Sequence, residues 1–307
     1  MPPTTRDEFA WKSFLSHLSS FGVLVLCLAL LTGATLGLRP LEARASGFTV
    51  RRSPEVAIRW PMAAGAGENG PTWLPRDEQE RLTRLTTDAA RDDDAPYTAA
   101  SLERVSRVLA SSGWFEGYPT VRRLSPELLG VSGTWRIPAA VVRSAGQDYL
   151  ISWDALPLPP VYPPGKSTLP AILDPAKGPP RTATGDREFN TPWQGEDVGA
   201  ALELIQTITT QPWSDQVAGV DVSKFAMEGS LVLVTRSGNR IVWGGRPTKP
   251  RLGEVSTRQK LVHLAQLQHD FKRIDAGYPL IYVNTDRLQF DTSASAQGSV
   301  GSGTPHP

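Results

Sequence analysis

Apolar residues recur along this chain at two spacings, and the change from one to the other marks out its elements. Leu102, Val105, Val108 and Leu109 fall at helical spacing with Glu103, Arg104 and Arg107 between them. The stretch from Ser101 therefore predicts an amphipathic helix with one face toward a core. Val131 to Val142 and Tyr149 to Trp153 are rich in β-branched and aromatic residues and are bounded by Gly130, Gly133 and Gly146. They read as strands of the sheet on which that helix lies. Upstream, Val56 to Trp60 predicts a strand, Met62 to Gly70 a loop and Thr72 to Ala90 a polar helix, so the order is β, α, α, β, β.

A second compact region is expected from Gly195 to Phe290. Val198, Ala201, Leu202, Ile205 and Ile208 form one helical stripe behind Glu196-Asp197, whose charge suits the positive end of a helix dipole. Leu231 to Val234 and Arg240 to Trp243 flank the polar turn Arg236-Ser237-Gly238-Asn239 and predict a β-hairpin. Ser256-Thr257-Arg258-Gln259 fits a capping box. The helix it opens is expected to bury Leu261, Leu264, Leu267 and Phe271 and to turn Lys260, His263, Gln266 and Asp270 outward. Leu280 to Asn284 predicts the last strand, followed by Thr285-Asp286-Arg287.

Between the two regions, residues 156–193 carry prolines at 157, 159, 160, 163, 164, 170, 175, 179, 180 and 192. Proline denies the backbone the donors and dihedrals that a helix or central strand needs, so this insertion reads as a long surface connection. Residues 292–307 are nearly all Ser, Gly, Ala, Thr and Pro and read as a mobile tail.

Phe21 to Leu38 is uncharged and Leu-rich. As a helix it lies at the short end of what spans a ~30 Å hydrocarbon core. Its length favours a retained anchor over a cleaved signal, although Ala43-Arg44-Ala45 before Ser46 has the form of a signal-peptidase site. Arg6 and Lys12 precede the run, and Arg39, Arg44, Arg51 and Arg52 follow it. A positive-inside count would place the C-terminus in the cytosol, but long domains translocate largely regardless of charge.

Composition narrows the chemistry. A net charge of +1 over 307 residues argues against a nucleic-acid binder. The single Cys27 excludes an intrachain disulfide, and four scattered histidines, His17, His263, His269 and His306, make a structural zinc site improbable. Pro164-Gly165-Lys166-Ser167-Thr168 imitates the end of a phosphate-binding loop, but Pro160 stands where its first glycine belongs. Asp92-Asp93-Asp94 reads as a solvated turn rather than a metal site. His263 and Asp270 lie two helical turns apart, ~10 Å, too far for a base and its orienting acid.

The order of helix, Trp-aromatic corner, strand with Arg and a following Pro, strand with Arg-x-Pro-Ala and strand ending in Asp resembles the extracytoplasmic domains of FtsQ/DivIB cell-division proteins. Trp114, Val121, Arg122, Arg123, Pro126, Leu129, Arg136, Pro138, Ala139 and Asp154 carry it. Leu231-Val232-Leu233-Val234 through Val242-Trp243-Gly244-Gly245 matches the hairpin of that family's β domain. The resemblance implies an α+β class with an N-terminal transmembrane helix, a POTRA-like α/β domain and a mixed β domain with flanking helices. It divides the chain into a cytoplasmic segment 1–20, a transmembrane helix 21–38, a POTRA-like domain 48–142, a β domain 143–291 holding the insertion 156–193, and the tail 292–307. The first half of the POTRA-like domain departs from the family, since no Val-x-Gly-Asn type turn follows the first strand.

The resemblance also implies a role: a non-enzymatic, single-span scaffold in the plasma membrane at the division site, its C-terminal domain extracytoplasmic, needing no cofactor, metal, nucleic acid or small-molecule substrate. Its partners would be divisome membrane proteins of FtsB/DivIC and FtsL type. In the family the terminal strand accepts a partner's strand at an open sheet edge, which assigns partner binding to Tyr278, Leu280, Ile281, Tyr282, Val283, Asn284 and Arg287. Val283-Asn284 stands where the family often has Leu-Arg, and the strand could also simply close the sheet. Trp114, Arg123, Pro126, Arg136, Pro138 and Asp154 would form the frame. Two other classes are weighed, an exported POTRA-type module for envelope assembly or protein export, and an exported hydrolase. The first would usually carry repeated POTRA units or a long barrel after them, neither of which is seen in the sequence, and the Gly298–Gly303 run lacks the strand-turn-helix setting of a nucleophile.

Overall fold

A computed structural model describes residues 55–63, 65, 70–91, 98–125 and 127–291. The class is corrected from α+β with a membrane helix to mixed α/β built on a large sheet. No helix of the described residues is long and apolar enough to cross a membrane. The longest have 15 residues, about 22 Å at helical rise, and both carry charge along their length. The expected transmembrane run 21–38 lies outside the described residues, as do segment 1–20, Asp92 to Asp94, Pro126 and the tail 292–307.

The chain divides into two compact units, Met1–Ser106 with Thr120–Ser132, and Arg107–Pro119 with Gly133–Pro307. The first holds β1 (Glu55–Ile58), α1 (Arg76–Ala90), β2 (Thr120–Arg123), β3 (Leu128–Ser132) and the start of α2 (Ala99–Ser111). Its sheet has the order β1-β3-β2, with β1 parallel and β2 antiparallel to β3. The register sets Val56 beside Leu129 and Ile58 beside Val131. Alternation thus gathers the apolar residues on one face, where Ile58, Leu129 and Val131 are buried. Helix α1 lies against β1 and buries Leu82, Thr86 and Ala90 at four-residue spacing. It starts later than Thr72, because Pro75 occupies the N-cap position. In α2, Ser101, Val105 and Leu109 are buried, while Leu102 and Val108 are only partly so.

The second unit is a nine-stranded sheet in the order β12-β11-β10-β9-β8-β7-β4-β5-β6. Its strands are β4 (Pro138–Ser144), β5 (Gln147–Ser152), β6 (Pro157–Tyr162), β7 (Ala171–Leu173), β8 (Val217–Asp221), β9 (Leu231–Thr235), β10 (Arg240–Gly244), β11 (Leu280–Tyr282) and β12 (Gln289–Asp291). Parallel pairs β4/β7, β7/β8 and β10/β11 interrupt an otherwise antiparallel ladder. Helices α3 (Glu196–Thr209), the single turn α4 (Phe225–Glu228) and α5 (Thr257–Phe271) complete the unit. The expected α3 stripe is buried throughout and shares one core with Trp193, Trp213, Trp243, Leu264, Leu267 and Ile281. Because β4 joins this sheet, the boundary falls at 132/133 rather than 142/143.

The proline-rich insertion is not a surface connection alone, since it supplies β6 and the central strand β7. The two strands tolerate their context for different reasons. β6 ends the sheet, so its prolines withhold donors where no ladder needs them. The three residues of β7 contain no proline, and the Pro170 carbonyl before it accepts from the Val141 amide at 3.0 Å. β8 approaches β7 so closely that a Cβ on Gly219 would lie 2.0 Å from the Ala171 carbonyl oxygen, so only glycine fits there.

Candidate partner-binding edge

Strand β11, expected at the open edge, lies inside the sheet. It pairs in parallel with β10 and antiparallel with β12, whose Gln289, Phe290 and Asp291 stand opposite Tyr282, Ile281 and Leu280. The chain turns back after Asp286-Arg287, and the end of the sheet belongs to β12. Among the described residues, no strand pairs with β12 on its other side. Phe290 is 42% exposed, and its ring packs 4.7 Å from that of Tyr278.

Most of the residues assigned to partner binding are buried or partly buried within the sheet. Ile281 and Val283 are fully buried, and the Val283 amide donates to Val242 at 3.2 Å. Asn284 is 8% exposed, and its carbonyl accepts from Val255 at 3.1 Å. Tyr278 is partly buried, as are Leu280 and Tyr282, whereas Arg287 is exposed. Sequence reasoning missed Gln289 and Phe290. The alternation Leu288-Gln289-Phe290-Asp291 after a polar turn is the signal that marks them.

Two buried polar clusters fasten β11 at its ends. At its start, the Asp275 carboxylate accepts from Thr235, Ser237, Asn239 and Arg273 side chains and from the Gly277 amide at 2.6 to 3.1 Å. Burial alone would raise this carboxyl, but the bonds from Arg273, Ser237, Gly277 and Asn239 outweigh it and hold the group well below the usual range. This cluster joins the tip of the β9/β10 hairpin to the turn that launches β11, where Tyr278 donates to the Asp275 carbonyl at 2.8 Å.

Near the end of β11, Glu254 accepts from Lys260 at 2.8 Å, Arg251 at 2.6 Å and the Gly245 amide at 2.9 Å. Burial pushes Glu254 up, yet these donors bring its carboxyl down from 4.5 to about 2. Lys260, expected on the outer face of α5, is fully buried 5.2 Å from the centre of the Trp243 ring. Burial lowers its pKa against the pull of Glu254. His263 is also buried, with Nε2 3.0 Å from the Gln259 amide and Nδ1 3.4 Å from the Val283 carbonyl. Phe271, expected inside, is 53% exposed. The buried stripe of α5 is Lys260, His263, Leu264 and Leu267, an apolar pair rotated toward two polar residues that find partners below the helix. Ser256 caps the Gln259 amide at 3.2 Å as expected, but the Gln259 side chain serves His263 instead of returning to the cap.

Elsewhere, Trp114 and Phe115 are buried at the corner, Phe115 lies 4.2 Å from the Trp135 ring, and the Arg136 amide donates to the Trp114 carbonyl at 2.9 Å. Arg123 donates to the Ser125 carbonyl, Pro138 opens β4, and Asp154 is exposed in the β5/β6 turn. The Gly165 amide, in the imitation phosphate loop, is taken by Asp148, and no helix follows it. Among the described residues, no group of three or more His, Cys, Asp and Glu is placed to hold a metal ion. Comparison of the chain with protein-family models and with curated proteins returns no match.

Proposed function

We propose that this chain is a non-enzymatic scaffold of the cell-division machinery, similar in role to FtsQ/DivIB proteins. It holds divisome membrane proteins of FtsB/DivIC and FtsL type on the extracytoplasmic side of the plasma membrane by adding one of their extended segments to β12. The observation that carries this reading is the inequality of the two ends of the nine-stranded sheet. At one end, β6 contains Pro157, Pro159 and Pro160 and offers few donors. At the other, β12 is short, follows a firmly anchored β11 and exposes Phe290. An added strand gains backbone hydrogen bonds there, and alternate side chains select it.

The test is co-purification of division membrane proteins with the full chain from detergent-solubilised membranes, wild type against Phe290→Pro and Gln289→Pro. The two adjacent amides face opposite sides of β12. The proline that removes the outward donor should therefore abolish recovery of the strand-donating partner at an unchanged unfolding midpoint read by tryptophan fluorescence, whereas the other, which breaks a bond to β11, should also lower that midpoint. Undiminished recovery with both variants overturns the proposal.

A further inference from the structure

We infer that a cleft floored by Arg136 receives a carboxylate side chain from a protein partner. The cleft, about 250 Å³, is lined by Arg107, Ala110 and Ser111 of α2, by Gly117 and Tyr118, and by Arg136 and Asn190. All of these belong to the second unit, none is part of β12, and the inference is independent of strand addition.

Arg136 is 7% exposed. Its Nη1 donates to the Gly113 and Phe189 carbonyls at 3.1 and 3.0 Å, and Nη2 to Asn190 Oδ1 at 3.1 Å. Its Nε–H is buried without an acceptor. Each bonded partner is neutral. Asp154 and Glu116 attract it without hydrogen-bonding to it, against a larger effect of burial. Glu188 lies on the same segment, but its carboxylate accepts from the Asn190 amide at 3.0 Å. A buried guanidinium whose hydrogen bonds all go to neutral groups, with one donor unused, is unfavourable unless an anion comes into direct contact with it.

A carboxylate supplies both the anion and the acceptor, and the guanidinium fork matches its geometry. Asn190 is exposed, so its amide oxygen can yield its place over Nη2. The surroundings identify the source as a protein. Tyr118 is 75% exposed on the cleft wall, and Ile137, next to Arg136, is 60% exposed. Exposed aromatic and apolar surface around a buried arginine is the composition of an interface hot spot, and the cleft's volume suits one acidic side chain.

The probe is N-acetylglutamate methylamide, titrated into the full chain with the arginine Nε–H resonances observed by NMR. N-acetylglutamine methylamide and inorganic phosphate form the control arms, and Arg136→Lys assigns the resonance. The Arg136 Nε–H signal should shift with the acid, not with the amide, and the response should weaken tenfold or more in Arg107→Gln and in Tyr118→Ala, both of which should keep the wild-type unfolding midpoint. Phe290→Pro should leave the response unchanged, which separates this site from the β12 edge. No shift, equal shifts with acid and amide, or a response to phosphate exceeding that to the acid overturns the inference.

Discussion

Lys260 donates to Glu254 at 2.8 Å with side-chain exposures of 0% and 4%. Removing Glu254 leaves Lys260 buried without its counter-charge, and removing Lys260 leaves the buried Glu254 with Arg251 as its one charged partner. Lys260→Ala is expected to destabilise the second unit by about 3 to 5 kcal/mol. The double replacement Lys260→Met with Glu254→Gln should cost less than Lys260→Ala. Urea denaturation followed by tryptophan fluorescence measures both, and a double replacement that costs as much as Lys260→Ala or more would contradict the pair.

Acid stability should report the same carboxylate. Glu254 has its pKa lowered from 4.5 to about 2 in the folded chain. Its stabilisation is therefore fully present above pH 4.5 and is lost as pH falls toward 2. Asp275 and Asp148 are lowered too and act in the same direction. Lys260, also lowered, has the opposite charge type. Its effect is a gain in stability as pH rises through its folded value toward 10.5, outside the acid window. The urea midpoint should thus fall steeply between pH 5 and 2, and Glu254→Gln should flatten that fall.

Asp275 ties the hairpin tip to the turn before β11 through five donors. Asp275→Ala should lower stability by about 3 kcal/mol, in keeping with the loss of several charge-assisted hydrogen bonds. Amide exchange should accelerate most at Asn239, Gly277 and Tyr278. Protection unchanged at these amides would show that the cluster does not hold the turn.

Gly219→Ala tests the central parallel pair. The new methyl would meet backbone rather than a movable side chain, 2.0 Å from the Ala171 oxygen. A loss of about 3 kcal/mol or more is expected from such a clash. Gly146→Ala, which meets nothing within 4 Å but has φ +72°, should lose much less. Equal losses in thermal unfolding would place the effect in backbone preference instead of strand contact.

Periodicity located most elements, because it follows from burial of one face and needs only near neighbours. The α3 stripe, the β9/β10 hairpin and the Ser256 cap are visible in the sequence for that reason. The misreadings share a different cause. Lys260 and His263 lie inward because Glu254, Trp243 and the Val283 carbonyl, from distant parts of the chain, supply partners that no helical wheel displays. β7 was hidden because three residues flanked by prolines carry no period, and its strand character comes from β4 and β8 on either side. β12 was hidden by its length, and its discovery moves the candidate edge from Tyr282 to Phe290.

The prolines of β6 also govern what the molecule can become in number. A sheet with two receptive ends can pass strands from copy to copy without limit, whereas one with a single receptive end stops after one addition. Pro157, Pro159 and Pro160 leave β6 with few amide donors, which disfavours pairing of one copy's β12 with the next copy's β6. The sheet is closed to further strands on one side by its own sequence.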